Sequence, residues 1–296
     1  AVTSRLQRFG TSIFTEMTAL AHERNAINLG QGFPDFNGPD FVLNAAADAI
    51  RRGPNQYSPM PGLPIMREAV ARRFELDHGV DIDPNHEVTI TPGCTGAIAA
   101  AMLGILEEDD EVILFEPWYD SYPATIELAG ARCRYVRLES PDFRIDRERL
   151  EAAITPKTRM LVVNTPHNPT GRILDDDEID VIESLAIQHD LIVFSDEVYE
   201  HLYFDAPHHS LMRRAGLRDR TIIASSIGKT FSLTGWKIGW TIAAPHLTEA
   251  VRSSHQFLIF SVATPLQVAA AEALNAPPAY FQEFRQEYHR KRDLLV

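Results

Sequence analysis

The feature that most constrains the fold is a series of seven short runs of apolar and β-branched residues, several of them apolar on both faces. The runs are EVTIT (87–91), EVILFE (111–116), CRYVRL (133–138), RMLVVN (159–164), LIVFSD (191–196), TIIASS (221–226) and GWTIAA (239–244). Helix-like segments such as TGAIAAAMLGILEE, RERLEAAI and DDDEIDVIESLAIQHD lie between them. Buried strands that alternate with helices are typical of a parallel sheet covered on each side. The sequence therefore predicts an α/β fold with a mostly parallel sheet of about seven strands flanked by helices.

Composition narrows the class of partner. The 296 residues carry a formal net charge of -13, which disfavours binding to nucleic acid or to an anionic membrane surface. No apolar run approaches the length of a membrane span, and the first residues lack the pattern of a secretory signal. The two cysteines, Cys94 and Cys133, predict neither a disulfide framework nor a thiolate metal site. We expect a cytoplasmic protein that acts on small molecules.

Glycines and polar residues follow the predicted strands at the edge where ligands of parallel sheets bind. PGCTGA, which contains Gly93, follows the first run and opens into a helix. It is an anion or phosphate site or, equally, a plain strand-to-helix turn. Asn168 lies between prolines in TPHNPTG after the fourth run. Taken alone, it is better interpreted as a turn residue.

Two charged residues at strand ends favour a chemical role. Asp196 ends an apolar run, where a buried carboxylate requires a cationic or proton-bearing partner. Lys229 follows TIIASS, and a lysine placed there opposite an aspartate and a phosphate site is suited to act as an amine nucleophile. Together these residues predict a pyridoxal 5'-phosphate (PLP) site. The lysine can form an imine with its aldehyde, and the aspartate can hold its ring nitrogen protonated. Asn168 and Tyr199 can donate hydrogen bonds to its phenolate oxygen, and the glycine turn can bind its phosphate.

A set of motifs carries a family resemblance. NLGQGFPDF, NQY, EPWYDSY, NTPHNPTG, SDEVYEHLYFD and SSIGKTFSLTGWKIGW, in this order and spacing, resemble the class I aminotransferases of PLP fold type I, in the aspartate aminotransferase superfamily. The branch it resembles most contains kynurenine and N-succinyldiaminopimelate aminotransferases. The resemblance implies PLP as cofactor, ping-pong transfer of an amino group from an L-amino acid to a 2-oxo acid, and a homodimer with shared active sites.

The resemblance also implies residue roles, in three groups. The catalytic group has a Schiff-base lysine, a partner of the pyridine nitrogen and a contact to the phenolate oxygen: Lys229, Asp196 and Tyr199. The cofactor group adds a phosphate cup, a phenolate contact, a stacking aromatic residue and a tyrosine from the neighbouring subunit: Gly93, Cys94, Thr95, Ser226, Lys237, Asn168, Tyr119 and Tyr57. The substrate group comprises Gly32, Phe14, Asn168 and Phe260, with Phe33 as a further aromatic residue.

The chain departs from the family in two respects, of which the first concerns its domains. We expect an N-terminal arm with part of a small domain (1–45), a PLP-binding large domain (46–276) and the start of a long interdomain helix (277–296) leading to a small domain missing from this chain. In the family that domain supplies an arginine for the substrate carboxylate, so we expect either a fragment or another anchor. The kynurenine branch has a histidine where Ser261 stands, so its substrate preference does not carry over.

Other functions remain open. A PLP-dependent C–S β-lyase acting on cysteine conjugates, or another carbanion-based PLP enzyme, would use the same lysine, aspartate and phosphate site. A PLP-fold regulator would need a basic DNA-binding segment, which residues 1–30 do not provide. A metal hydrolase built on His201, His208 and His209 lacks regular ligand spacing. An aromatic-lined pocket predicts apolar, aromatic or thioether substrates and leaves long dicarboxylic ones possible.

Overall fold

A computed structural model describes residues 4–7, 9–30, 32 and 34–296. The strands are β1 (Val88–Thr91), β2 (Glu111–Glu116), β3 (Arg132–Arg137), β4 (Thr158–Asn164), β5 (Ile192–Asp196), β6 (Thr221–Ser226) and β7 (Gly239–Ala243). The helices are α1 (Ile13–Glu23), α2 (Asp40–Arg52), α3 (Pro64–His78), α4 (Gly93–Ile105), α5 (Ser121–Leu128), α6 (Arg147–Ala153), α7 (Asp176–Gln188), α8 (Ala215–Arg218), α9 (Ile227–Thr230), α10 (Pro245–Leu258), α11 (Thr264–Leu274) and α12 (Pro278–Leu295). Each predicted strand is present within one residue of its predicted bounds.

The strands form one seven-stranded sheet within the described part of the chain, in the spatial order β1-β7-β6-β5-β4-β2-β3. Strand β7 runs antiparallel to both of its neighbours, and every other neighbouring pair is parallel. The mostly parallel α/β sheet predicted from the sequence is confirmed. The outer strand β3 carries Arg132, Arg134 and Arg137 on a largely exposed edge, where charged side chains discourage pairing with another chain.

Apolar side chains of the central strands alternate between two buried clusters. Along β4, Met160 and Val162 enter a cluster covered by α4 and α10, whereas Leu161 and Val163 enter one covered by α7. Because successive side chains of a strand point to opposite faces, a continuously apolar run is what two-sided burial requires. A third cluster packs α2, α3 and α11 around the end of the sheet that contains β1 and β7.

The sheet register brings the strand ends together. In the parallel pairing of β4 with β5, Asn164 lies opposite Asp196. In the antiparallel pairings, Gly239 of β7 lies opposite both Ser226 and Thr91. Residues that follow β1, β4, β5 and β6 are therefore neighbours at a single edge of the sheet.

The segment around Lys229 is neither a long helix nor a strand. Strand β6 ends at Ser226, whose side chain accepts a hydrogen bond from the N–H of Gly228 and caps the single helical turn α9. A short 3-10 helix, Thr234–Trp236, follows, and Lys237 adopts a left-handed backbone conformation with φ of 55° before β7 begins. This tight path holds both lysines at the edge where the strands end.

Helices α2 and α12 lie at the predicted domain boundaries. Helix α2 passes through residue 45, and its Val42 and Ala46 are buried in the same cluster as α3 and α11. Helix α12 buries Phe281 against that cluster. Within the described residues, no helix combines the length and apolar character that crossing a membrane requires. The division into an N-terminal arm with part of a small domain (1–45), a large domain (46–276) and the start of an interdomain helix (277–296) stays a prediction.

Candidate active site

A cavity of about 520 Å³ lies beyond the carboxyl ends of the central strands. Its volume is within the range of about 300–1,000 Å³ usual for small-molecule sites. It brings together all the site residues in the three predicted groups except Tyr57, Phe260 and Phe33, namely Phe14, Gly32, Gly93, Cys94, Thr95, Tyr119, Asn168, Asp196, Tyr199, Ser226, Lys229 and Lys237. Segments far apart in sequence thus meet where the strand-end argument expects them.

The N-terminus of α4 opens into this cavity with uncapped backbone donors. Pro92 precedes the helix and makes no side-chain capping hydrogen bond, and the first residues of the helix, Gly93, Cys94 and Thr95, line the cavity. The first N–H groups of a helix have no partner within it, and the helix dipole favours an anion there. This arrangement can hold a phosphate group.

Close backbone packing shapes this anion site. Gly93 has a positive φ of 72°, and a Cβ there would lie 3.2 Å from Cε and Nζ of Lys237. A Cβ on Gly239 would lie only 2.6 Å from the carbonyl carbon of Gly93 and 2.9 Å from the N of Cys94. Lys237 Nζ also donates a 3.3 Å hydrogen bond to the hydroxyl of Thr95. Glycine at both positions therefore keeps the backbone amides and the lysine around one small space.

Lys229 presents its amine to the same cavity from α9. Nζ donates a 2.7 Å hydrogen bond to the carbonyl oxygen of Gly32 and lies 5.6 Å from the centre of the Tyr199 ring. Burial lowers the pKa of this amine, and the charge of Lys237 lowers it further, whereas the Asp196 carboxylate acts in the opposite direction. A larger fraction of neutral amine suits a nucleophile or a base.

Asp196 is a buried carboxylate with several donors around it. It is 4% exposed and accepts hydrogen bonds from Tyr122 Oη at 2.8 Å, Cys94 Sγ at 3.4 Å and the Val198 N–H at 3.2 Å. Burial raises the pKa of this carboxyl, and the three hydrogen bonds act against that rise. Such a carboxylate is suited to pair with a cationic ring nitrogen.

The loop that carries Asn168 is fixed to the end of β5. The backbone N–H of Asn168 donates to Oδ1 of Asn164 at 2.7 Å, while Nδ2 of Asn164 donates to the carbonyl of Asp196 at 2.9 Å. Burial raises the pKa of the nearby Tyr199 phenol to about 12, which keeps it a hydrogen-bond donor at neutral pH. Asn168 and Tyr199 both line the cavity and can donate to an oxygen of a ligand.

Aromatic rings close one side of the cavity. Phe14 of α1 and Tyr119 have ring centroids 6.3 Å apart, and Tyr119 packs edge to face on Tyr122 with centroids at 5.6 Å. Burial raises the pKa of the Tyr119 phenol. A flat ring and an apolar side chain can both be accommodated against this wall.

Sequence reasoning missed three residues of the site. Tyr122, Asn164 and Gly239 contact Asp196, Asn168 and the anion site respectively. The signal for Tyr122 is its place three residues after Tyr119, where its backbone N–H donates to the Tyr119 carbonyl and the two rings meet. The roles of Asn164 and Gly239 follow from sheet register, which the sequence does not display.

Tyr57 and Phe260 lie outside the cavity of their own chain. Their rings meet edge to face with centroids 5.3 Å apart, and they are 82% and 51% exposed. Ser261 is nearby, and its hydroxyl accepts a 2.9 Å hydrogen bond from the Ser58 N–H. Phe33 lies outside the described residues.

The histidines considered for a metal site have other partners. His208 Nε2 lies 3.1 Å from Oε2 of the fully buried Glu197, and His201 Nε2 lies 3.0 Å from Oδ2 of Asp77. Among the described residues, no group of three His, Cys, Asp or Glu side chains has the arrangement to hold a metal ion. Both histidines are buried, and neither lines the cavity.

The geometry is that of a PLP-binding enzyme. The cavity offers what PLP requires: an amine, a buried carboxylate, hydroxyl and amide donors, and an uncapped helix N-terminus. A family model for aminotransferase class I and II matches residues 24–296. The chain is 45% identical over 296 residues to a probable N-succinyldiaminopimelate aminotransferase of Mycobacterium tuberculosis, covering 99% of this chain and 75% of that one. It is 40% identical over 294 residues to the methionine aminotransferase of Escherichia coli, covering 99% and 76%.

Solved structures support the same family assignment. The N-succinyldiaminopimelate aminotransferase structure from Mycobacterium tuberculosis superimposes with a TM-score of 0.97, covering 100% of this chain and 78% of that one at 45% identity. The chain belongs to the class I and II aminotransferases. It has the PLP fold type I architecture and is a PLP-dependent aminotransferase, which transfers amino groups between amino acids and 2-oxo acids.

Proposed function

We propose that Lys229, Asp196 and Tyr199 carry out amino-group transfer in the cavity at the strand ends by a ping-pong cycle. The observation that carries this proposal is the convergence of the Lys229 amine, the buried Asp196 and the uncapped N-terminus of α4 on a single cavity of about 520 Å³. Each supplies something the reaction needs: a nucleophile and base, a counter-charge and a phosphate site.

The cofactor is held by groups that this chain already directs into the cavity. When bound, PLP supplies an aldehyde for the amino group and a ring that accepts the charge developing at the substrate α-carbon. The residues that would bind its phosphate are Gly93, Cys94, Thr95, Ser226 and Lys237. Tyr119 would stack on the ring, Asn168 and Tyr199 would donate to its phenolate oxygen, and Asp196 would keep its nitrogen protonated.

Lys229 moves the proton. With its pKa lowered by burial, Nζ is neutral more often than an exposed lysine at the same pH and can take the α-proton of a bound amino acid. Its contact with the carbonyl of Gly32 supports a position for Gly32 beside the substrate carboxylate. Holding the base and substrate within one cavity replaces a bimolecular proton transfer with an intramolecular one.

The substrate is an L-amino acid with an apolar, aromatic or thioether side chain. The wall formed by Phe14 and Tyr119 supports this choice, because apolar rings favour side chains of that character. A methionine aminotransferase among the relatives supports it as well.

The active enzyme is a homodimer in the cytoplasm. Tyr57 and Phe260 are large, exposed and paired with each other, and Phe257 nearby is 86% exposed. Rings in this arrangement suit a contact with a second copy of the chain, where Tyr57 reaches the partner's phosphate site and Phe260 the partner's substrate. Cys94 and Cys133 are not joined in a disulfide, which is in keeping with a reducing compartment.

A first experiment tests the chemistry. The protein, Lys229→Ala and the exposed-lysine control Lys157→Ala are loaded with PLP, reduced with borohydride and digested for mass spectrometry. We expect a pyridoxyl group on the peptide containing Lys229 in the parent and in Lys157→Ala only. An unmodified Lys229 peptide in the parent would refute the assignment.

A second experiment separates amino transfer from elimination. With an amino acid and no acceptor, we expect about one 2-oxo acid per active site, and continuous turnover only after a 2-oxo acid is added. Continuous release of ammonia or thiol without an acceptor would indicate a lyase. For the shared sites, mixing Lys229→Ala with Tyr57→Ala subunits should restore activity, because each mixed dimer regains one site with both residues intact.

A further inference from the structure

The role proposed for Asp196 requires a negative charge in an environment that opposes it. The carboxyl group is almost fully buried, and Glu197 follows it directly in the chain. Burial raises the carboxyl pKa first of all, and the Glu197 charge adds to the rise. The role proposed above requires a carboxylate that stays ionised, so that the proton resides on the ring nitrogen of PLP. Something in the chain must therefore favour the charged form.

Two side chains outside the sheet donate hydrogen bonds to that carboxylate. Tyr122, on α5, is 3% exposed and donates to Oδ2 at 2.8 Å, and Cys94, in the first turn of α4, donates to Oδ1 at 3.4 Å. Burial and the Asp196 charge raise the pKa of both the phenol and the thiol well above their ordinary values. Both groups keep their protons and act on Asp196 only as donors.

We propose that Tyr122, assisted by Cys94, is a positioning residue that keeps Asp196 ionised and directs one free lone pair of its carboxylate toward the ring nitrogen of PLP. A carboxylate offers about four acceptor sites. Among the described residues, Oδ1 accepts from Cys94 and Val198, whereas Oδ2 accepts from Tyr122 alone. The remaining site belongs to Oδ2. This inference rests on the proposed role of Asp196 and adds the residues that make that role possible.

Other charged and titratable groups also face Asp196. Glu197 and Tyr199 lie in the segment that follows β5, Tyr119 lies before α5 and Lys229 lies on α9. Glu197 is occupied by Ser195, Ser210 and His208, so its carboxylate is turned to a different set of donors. Tyr122 is thus the phenol that donates to Asp196, and its hydrogen bond is the shortest of the three.

The test measures where the proton lies rather than the reaction rate. PLP labelled with ¹⁵N in the ring is bound to the parent protein and to Asp196→Asn, Tyr122→Phe and Cys94→Ala, and the ring ¹⁵N shift and the PLP dissociation constant are recorded. Tyr280→Phe is the matched control, because its phenol donates to the Thr230 carbonyl and not to Asp196. Cys133→Ala is the control for the second cysteine.

We expect the ring ¹⁵N of the parent at a protonated shift and that of Asp196→Asn at an unprotonated one. In Tyr122→Phe the carboxylate becomes more basic, so the ring shift should move part of the way and PLP should bind about tenfold more weakly, as expected for a lost hydrogen bond to a charge. Cys94→Ala should move the ring ¹⁵N shift in the same direction by a smaller amount. The two control variants should show the ring shift and PLP affinity of the parent.

The outcomes are distinguishable. An unchanged ring shift in Asp196→Asn would refute the proposed role of Asp196 and this inference with it. A normal shift and affinity in Tyr122→Phe, with only a lower melting temperature, would mean that the phenol merely supports the fold and would overturn the inference alone. If Tyr122→Phe does not fold, Cys94→Ala decides, and a ring shift equal to that of Cys133→Ala counts against the inference.

Discussion

Lys229 Nζ and the carbonyl oxygen of Gly32, which are 197 residues apart in the chain, are joined by a 2.7 Å hydrogen bond. The contact ties the segment that follows α1 to the helical turn after β6. The amine also lies 5.6 Å from the centre of the Tyr199 ring. The consequence for Lys229 can be measured directly.

The pKa of Lys229 is expected to lie below the ordinary lysine value of 10.5, because burial disfavours the charged amine. The rate at which PLP attaches to the protein should rise with pH as the amine becomes neutral, with a midpoint below that value. Stopped-flow measurement of PLP capture across a pH series gives the midpoint. A midpoint at or above 10.5 would contradict the burial of the amine.

Gly239→Ala should damage the anion site. The new Cβ would lie 2.6 Å from the backbone of Gly93, so the N-terminus of α4 must shift. We expect PLP to bind at least several-fold more weakly and the free energy of unfolding to fall by about 1–3 kcal/mol, as for other overpacked sites. Gly235→Ala is the matched control, since nothing lies within 4 Å of its Cβ and it is exposed. Equal PLP affinities of the two variants would argue against the proposed anion site at the N-terminus of α4.

Arg172→Met should destabilise the loop that carries Asn168. Arg172 makes two hydrogen bonds of 2.7 and 2.5 Å to Glu178, which is 1% exposed. Removing the cation leaves a buried carboxylate without its charged partner, a change that costs about 3 kcal/mol. The backbone carbonyl of Arg172 accepts a hydrogen bond from the N–H of His167, next to Asn168, so displacement of the Arg172 backbone in the variant should lower PLP affinity as well.

Denaturant unfolding of Arg172→Met and Arg149→Met checks this. Arg149 pairs with Glu139 on the exposed surface, so its replacement should change stability little. Comparable losses in the two variants would contradict a special role for the buried pair.

His255 makes stability depend on pH. It is fully buried on α10, and burial lowers its pKa from 6.5 to about 4. The unfolded chain takes up a proton at this residue below pH 6.5, whereas the folded chain does so only near 4. The stabilising contribution is therefore complete above 6.5 and is lost as pH falls toward 4, by about 3 kcal/mol.

Unfolding of the parent and of His255→Met between pH 7 and 4 measures this contribution. The stability difference between parent and variant should shift against the parent by about 3 kcal/mol as pH falls through this window. His246→Met, an exposed residue of the same helix, serves as control. A parallel pH dependence of the parent and His255→Met would refute a neutral buried imidazole.

The sequence by itself determined the seven strands and most of the cavity. Apolar runs such as RMLVVN and LIVFSD are recognisable because strands buried on both faces need apolar side chains at every position. Once the strands are parallel, residues that follow them must meet at one edge, so Asp196, Asn168 and Lys229 converge whatever the detailed packing. The positions of the helices were not needed to predict that these three residues lie close together.

Only the tertiary structure decided how those residues are held. Tyr122 and Cys94 lie 74 and 102 residues from Asp196, and their contacts depend on how α5 and α4 pack on the sheet. The pairing of Asn164 with Asp196, and of Gly239 with Ser226, depends on strand register, which apolar patterning on two buried faces leaves unspecified. Local sequence fixes which groups reach the edge, but distances, burial and hydrogen bonds arise from long-range packing.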